Sequence, residues 1–386
     1  MAGAQRPGVE MGTVTVVAVQ ARRRWAVVAA AALGLAALPA VVSAVPVSAP
    51  ATDVARLAAR VQASTNQPYQ GYAESTGTAG LPALPQLGDV ADLLNGDTRL
   101  RVWYASANRW RVDVIGIGSE RDTYQTPAGQ VIWDYGRNQL TELDGTPPVR
   151  LPRGADLTPP ELARRLLSLA GDQVRLAPLP AQRIAGIDAA GVRMTPTSSL
   201  TTMGHIDVWA DPASALPLRV TVTGRSAQVP FLATRFLDVS LTAPAPAVLA
   251  PPPERPGMSI VDTDPSNIVE ALQTLTFLTL PERLAGQPRA AANLTGVATY
   301  GTGLARFVVV PVPRRTGFDA MRRATRGGGL PLTFPAGEGV LISTPLLSVL
   351  AMDAHPARET YLLAGLVDPK LLKQAGAELS TYTGEQ

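Results

Sequence analysis

The chain has 386 residues, 46% hydrophobic and 17% charged, with a net charge of +3 and no cysteine, which suits two folded domains with sizeable cores and excludes disulfides, thiol nucleophiles, cysteine-type zinc sites and a lipidated cysteine. Arg6, Arg22, Arg23 and Arg24 face a single acid, Glu10, in residues 1–44, so the remainder is charge-balanced. Without a Lys/Arg block it lacks the electrostatic footprint of a nucleic-acid binder.

Residues 1–44 read as an export leader. The run from Trp25 to Val42 is uncharged and apolar, and it ends in Val42-Ser43-Ala44, the small-x-small pattern of a cleavage site. The run also approaches the ~20 residues that span a bilayer, so a retained anchor stays open beside a cleaved signal peptide. Pro39 and the Val-Ser-Ala ending favour cleavage.

From Thr52, Val54, Leu57 and Val61 fall at helical spacing. A strand follows at Tyr69 to Gly77, and after an apolar stretch comes strict alternation: Leu100, Val102 and Tyr104 against Arg99, Arg101 and Trp103, then Trp110, Val112 and Val114 against Arg109, Arg111 and Asp113. With RDTYQT, QVIWDYG and NQLTEL close behind, this predicts an antiparallel meander with one buried apolar face and one wet face rich in Arg and Asp. At Thr158 the period changes: TPPELARRLLSLAG predicts a helix with Thr158 as cap, Glu161 completing a capping box and Gly171 as stop. Strands resume with GVRMTPT, HIDVWAD, LPLRVTVTG and TRFLDVSLT, so residues 52–242 read as one antiparallel sheet with helices on one face.

Residues 243–257 hold six prolines and predict a semi-rigid spacer at a domain boundary. Residues 258–386 read as a smaller α+β domain. DPSNIVEALQTL, GFDAMRRAT and DPKLLKQAGAEL predict helices, and RFVVVPVP, GEGVLISTP and ETYLLAGLV predict strands.

Catalytic motifs are missing from the sequence. The two histidines, His205 on a strand beside Asp207 and His355 in a turn, have no recognisable partners for catalysis or metal binding. No GxSxG elbow, phosphate loop, dinucleotide loop or EF-hand is present. The chain reads as a binding protein rather than an enzyme, with no cofactor and no metal.

The meander TRLRVWYASANRWRVDVIG, the following RDTYQTPAGQVIWDYGRNQLTEL and above all HIDVWADPASALPLRVTVTG resemble the LolA/LolB/LppX family of lipid and lipoprotein binders, and more closely its RseB/MucB branch. TYGTGLARFVVVPVP and the chain from GEGVLISTP to GAEL are similar to the smaller C-terminal domain of that branch. The resemblance implies an α+β fold: a half-open antiparallel β-barrel with inserted helices, then a smaller α+β domain. It also implies a hydrophobic groove that holds an acyl lipid or lipoprotein, or a role in envelope-stress regulation through the extracytoplasmic domain of a membrane-bound anti-sigma factor. No catalytic residue is carried over, because the family has none.

The stretch GLPALPQLGDVADLLNG, residues 80–96, places Leu81, Leu84, Leu87, Val90, Leu93 and Leu94 at intervals of one, three or four. Burying six such side chains at ~1.5 to 3 kcal/mol each requires an apolar surface. The stretch is therefore expected as a lid or plug over a groove lined by Trp110, Val112, Val131 and Trp133, with permanent core as the competing reading of both lid and tryptophans. Three functions follow: a regulator that binds a membrane-anchored partner, a carrier of acyl lipid or lipoprotein at the cell envelope, and a secreted hydrolase, for which no convergent polar site is visible.

Overall fold

The computed structural model describes residues 24–25, 47, 53–78, 80, 92–143, 152–263, 280–290, 297–354 and 359–383. Met1–Ser48 and Ala49–Gln386 are two units, the second compact and described below. The expected leader, the region 81–91 and the expected helix at 264–275 lie outside the described residues. Among the described residues no helix is long and apolar enough to cross a membrane.

Helix α1 (Val54–Ala63) starts where the Asp53 carboxylate accepts from the amides of Ala55 at 2.9 Å and Arg56 at 3.5 Å. Such a cap satisfies donors that the first turn leaves orphaned. Leu57, Ala58 and Val61 form its buried stripe. Strands β1 (Tyr69–Gly77), β2 (Asp97–Ser106), β3 (Arg109–Gly116), β4 (Ser119–Thr126), β5 (Gly129–Asp134) and β6 (Gln139–Leu143) make the expected meander.

Helix α2 (Pro159–Ala170) forms where predicted and stops at Gly171, whose φ of +52° suits glycine. Its capping box is absent. The Thr158 hydroxyl donates back to the Ala155 carbonyl at 3.0 Å instead of capping the helix, and Glu161 pairs with Arg164 at 3.2 Å. The preceding 3-10 turn, Gly154–Leu157, holds Thr158 in that orientation, and Pro160 at the second helical position removes one of the two donors a cap would serve.

A second meander follows: β7 (Val174–Ile184), β8 (Ile187–Pro196), β9 (Met203–Ala210), β10 (Pro217–Gly224) and β11 (Leu232–Ser240). β11 pairs antiparallel with β1, joining both meanders into one sheet. A twelfth strand, β12 (Ser259–Thr263), adds parallel to β6, giving the order β12-β6-β5-β4-β3-β2-β1-β11-β10-β9-β8-β7. The sheet is open and mostly antiparallel, with β7 and β12 at its ends. Sequence reading missed both. β7 carries Pro178 and Pro180, which an edge strand tolerates, and β12 is too short to show alternation.

α1 and α2 pack on one face. Leu57, Val61, Leu162, Leu166 and Leu167 meet Leu100, Val102, Val112, Ile206, Val208, Val220 and Phe236 in one core. Tyr69 stacks on Tyr104 with ring centroids 5.0 Å apart, and the Tyr104 hydroxyl donates to the Thr65 carbonyl at 2.6 Å, tying the end of α1 to β2.

The remaining strands of more than two residues, β15 (Ala298–Tyr300), β16 (Phe307–Val312), β17 (Leu330–Phe334), β18 (Gly337–Ser343), β19 (Ser348–Ala354) and β20 (Glu359–Gly365), form a second sheet; β13 (Arg283–Leu284) and β14 (Gln287–Pro288) make a small hairpin. Helix α3 (Arg314–Arg326) packs through Met321 and Ala324 on Val340 and Ala351, and α4 (Pro369–Thr381) packs through Leu371, Leu372, Ala375 and Leu379 on Leu341, Leu350 and Leu363. In the register Val340, Ala351 and Leu362 are opposite one another, as are Leu341, Leu350 and Leu363, so the helices cover opposite faces. The sheets meet where the Thr202 amide donates to Leu366 at 3.0 Å and the Asp368 amide to Leu200 at 2.7 Å.

The proline-rich segment does more than separate two parts. It leaves β11 at Ser240 and enters β12 at Ser259, so it passes six intervening strands of the first sheet. That is roughly 33 Å at about 4.8 Å per strand, within reach of an extended chain of this length. Its 3-10 turn, Pro246–Leu249, lies against β3, and Met258 packs on Tyr124, Val131, Trp133 and Leu140. It is a strap across the sheet face away from α1 and α2.

Candidate functional site

Directly paired residues of a sheet share a face, so register decides which expected groove residues meet. Tyr104 pairs with Trp110, Trp110 with Gln125 and Gln125 with Gln130; Val102 pairs with Val112, Val112 with Thr123 and Thr123 with Ile132. These residues share the helix-bearing face. Arg111 pairs with Tyr124 and Tyr124 with Val131; Asp113 pairs with Asp122 and Asp122 with Trp133. These share the outer face.

The four expected lining residues therefore do not line one surface. Trp110 and Val112 belong to the helix-bearing face, whereas Val131 and Trp133 belong to the outer face and cluster with Tyr124, Leu140 and Met258. The register of β4 and β5 puts Ile132 where Val131 and Trp133 were expected. Alternation along one strand cannot show this, because it does not give the phase between strands.

On the helix-bearing face, Val112 is buried while Trp110, Val114 and Ile132 are half-buried. The Gly154–Leu157 turn comes down on Val114 so closely that a Cβ on Gly154 would clash with its methyl group. Gln130 donates to Gln125 at 3.1 Å and accepts from Arg153, which gives this apolar end a polar rim.

Of the expected lid, Leu81, Leu84, Leu87 and Val90 lie outside the described residues. Leu93 and Leu94 are half-buried against the same core as Trp110 and Val114. The Gly77 amide donates to the Gly96 carbonyl at 2.9 Å, so the excursion from 78 to 95 leaves and rejoins the sheet at one point.

The outer face departs from the wet surface expected of it. Asp113 and Asp122 are both 0% exposed. The Arg111 guanidinium lies between the Trp103 and Tyr124 rings, 4.9 and 5.0 Å from their centroids. From there it donates to Asp113 Oδ1 at 2.6 Å, Asp113 Oδ2 at 2.9 Å and Asp122 Oδ2 at 2.8 Å. The Tyr124 hydroxyl also donates to Asp122 Oδ2, at 3.2 Å. Burial, then the adjacent Asp113 charge, pushes the Asp122 carboxyl up to about 7, and burial raises Asp113 as well. Glu120 brings a third carboxylate, one oxygen of each group lying within 4.8 Å of the others. Charge at alternate positions of β3 and β4 was legible in the sequence, but its burial was not, since the strap that packs beside it on Tyr124 and Trp133 is more than a hundred residues away.

Farther along the outer face, His205 sits 3.8 Å from Asp207, which Arg193 holds at 2.7 Å through both carboxylate oxygens. Burial lowers the His205 pKa, and Arg193 adds to that. Ile206 and Val208 point into the core, as strand alternation requires. A depression of about 200 Å³ between β1, β10 and β11 is lined by Glu74, Thr76, Arg219 and Arg235. Glu74 pairs with Arg235 at 3.6 Å and Arg219 donates to Gln182 at 2.9 Å, so its charges are engaged within the sheet.

No protein-family model matches the chain, and no curated protein matches it. Among solved structures, it is similar to the Pseudomonas aeruginosa MucA/MucB complex, with 15% identity and a TM-score of 0.49 over 84% of this chain and 97% of the matched one. MucB alone is similar at 16% identity and a TM-score of 0.43, over 85% and 97%. A LolA-superfamily protein from Nitrosomonas europaea is similar at 11% identity and a TM-score of 0.23, over 52% and 99%.

Proposed function

We propose that the protein is an exported, non-enzymatic binding protein, an RseB-like regulator of an envelope-stress sigma/anti-sigma system that senses lipid or lipoprotein on the helix-bearing face of its first sheet. The observation that carries this reading is the half-buried apolar patch of Trp110, Val114 and Ile132, with Leu93 and Leu94 packed on the same core. Such a patch, rimmed by Gln125, Gln130 and Arg153, suits an acyl chain or an apolar protein segment better than a reacting polar substrate. The carboxylates Asp113 and Asp122 do not invite catalysis, because Arg111 holds them in a buried site.

Export rests on the leader at residues 1–44, and the regulatory partner rests on the RseB-like order of elements in the sequence. The partner would be the extracytoplasmic domain of a membrane-bound anti-sigma factor, as MucA is described in complex with MucB. A carrier of lipids or lipoproteins is the second reading, favoured by the apolar Leu93 and Leu94 at the C-terminal end of the 78–95 excursion, which would serve an acyl chain without any partner.

Crosslinking in intact cells, followed by identification of the captured membrane proteins, separates the two. The regulator reading expects one single-span partner in stoichiometric yield. Capture of lipoproteins or acyl lipid alone would replace it with the carrier, and recovery of neither would end both.

A further inference from the structure

The outer face of β3 and β4 holds a charge arrangement that the binding reading leaves unused. Asp113 and Asp122 stand directly opposite across the two strands, both fully buried. Arg111 takes three of their four oxygens, and the fourth, Asp122 Oδ1, is buried with no hydrogen-bond partner. The charged and titratable groups facing the pair are Arg111 on β3, Glu120 and Tyr124 on β4 and Arg101 on β2, with Arg101 4.0 Å from Glu120. In the strap, Glu254 and Arg255 are exposed.

Two buried carboxylates against one guanidinium group leave one negative charge in a dry site, with the Arg101–Glu120 pair at its solvent-accessible edge, and one acceptor oxygen stands open. A divalent cation there would sit beside Arg111, whose guanidinium already occupies the place between the carboxylates. A proton adds one positive charge, converts the orphan oxygen into a donor and brings no repulsion. Two buried carboxylates side by side generally settle in this state.

We propose that Asp113 and Asp122 share a single proton, and that this proton latches the strap of residues 244–258 onto the outer face. When the proton leaves, two like charges remain beneath the strap, and lifting the strap rehydrates them. Closed, the site holds its proton to near neutral pH; open, it releases it at ordinary carboxylate pH. Opening therefore grows as pH rises toward neutrality and levels off beyond it. An exported protein would carry this latch at the pH of its surroundings.

Two measurements on the full chain test this. Carboxyl 13C NMR of aspartate-labelled protein is expected to show one ionisation centred near neutral pH, absent in Asp122→Asn. Hydrogen exchange at Val248, Leu249 and Met258, corrected for intrinsic rates, is expected to speed up about tenfold per unit between about pH 5 and 7 in the wild type and to stay flat in Asp122→Asn. Ionisation of both carboxyls down to about pH 5, or wild-type exchange independent of pH, would overturn the latch. So would displacement of the titration by millimolar calcium or magnesium, which would mark a cation site instead. The wild-type curves decide the matter even if the variant folds poorly.

Discussion

The two faces of strands β2 to β6 are closed in different ways. On one, Leu100, Val102 and Val112 disappear beneath α1, α2 and the Gly154–Leu157 turn, apolar against apolar. On the other, Arg111, Asp113 and Asp122 share the face that a proline-rich strap crosses on its way from β11 to β12, its 3-10 turn against β3 and Met258 on Tyr124 and Trp133. The first closure is driven by the hydrophobic effect and is indifferent to pH. The second holds charge in a dry site, so its stability depends on how that charge is balanced. One face is thus suited to hold the structure or an apolar ligand, and the other to respond to solution conditions.

The sharpest way to break this contrast is Arg111→Met, which strands two buried carboxylates. At pH 8 it should cost about 3–5 kcal/mol in denaturant unfolding, and much less at pH 5, where the pair is better protonated. A pH-independent loss would mean that Arg111 acts through packing on Trp103 and Tyr124. Leu100→Ala, on the opposite face, should cost ~2–5 kcal/mol equally at both pH values.

Wild-type stability should carry the same signature. Because the Asp122 carboxyl is raised to about 7 in the fold, above its unfolded value, its contribution is fully present below the unfolded pKa and is lost as pH rises through the folded one. The loss is on the order of 4 kcal/mol at most, and Asp122→Asn should flatten it. The smallest effect is expected at Asp53→Ala, which removes the α1 cap for about 1 kcal/mol in thermal unfolding and leaves the pH profile unchanged. Should Asp53→Ala alter that profile, the two faces would be coupled.

Much of this architecture was legible in the sequence because it is local. The alternation at Leu100, Val102 and Tyr104 and the helical spacing of Leu162 and Leu166 mark their own partners, although that same spacing also points to Leu169, which is exposed while Leu167 is buried in its place. The capping box at Thr158 and Glu161 failed because a 3-10 turn ahead of the helix redirects the hydroxyl. The candidate site was half legible. Trp110 and Val112 share the helix-bearing face, but Trp133 and Val131 do not, since the phase between strands is set by tight turns such as Pro127-Ala128-Gly129 and not by the hydrophobic pattern of either strand. Least legible was the burial of Asp113 and Asp122, on a face crossed by a segment that composition alone marks as a spacer.

The division of labour between the faces is tested most directly by native mass spectrometry of the full chain, recovered from the exported fraction without detergent, as wild type, Trp110→Ala and Trp133→Ala. The expected result is a bound acyl species in the wild type that survives Trp133→Ala and is lost in Trp110→Ala. An empty wild-type protein, or a ligand that follows Trp133 and not Trp110, would contradict a binding site on the helix-bearing face.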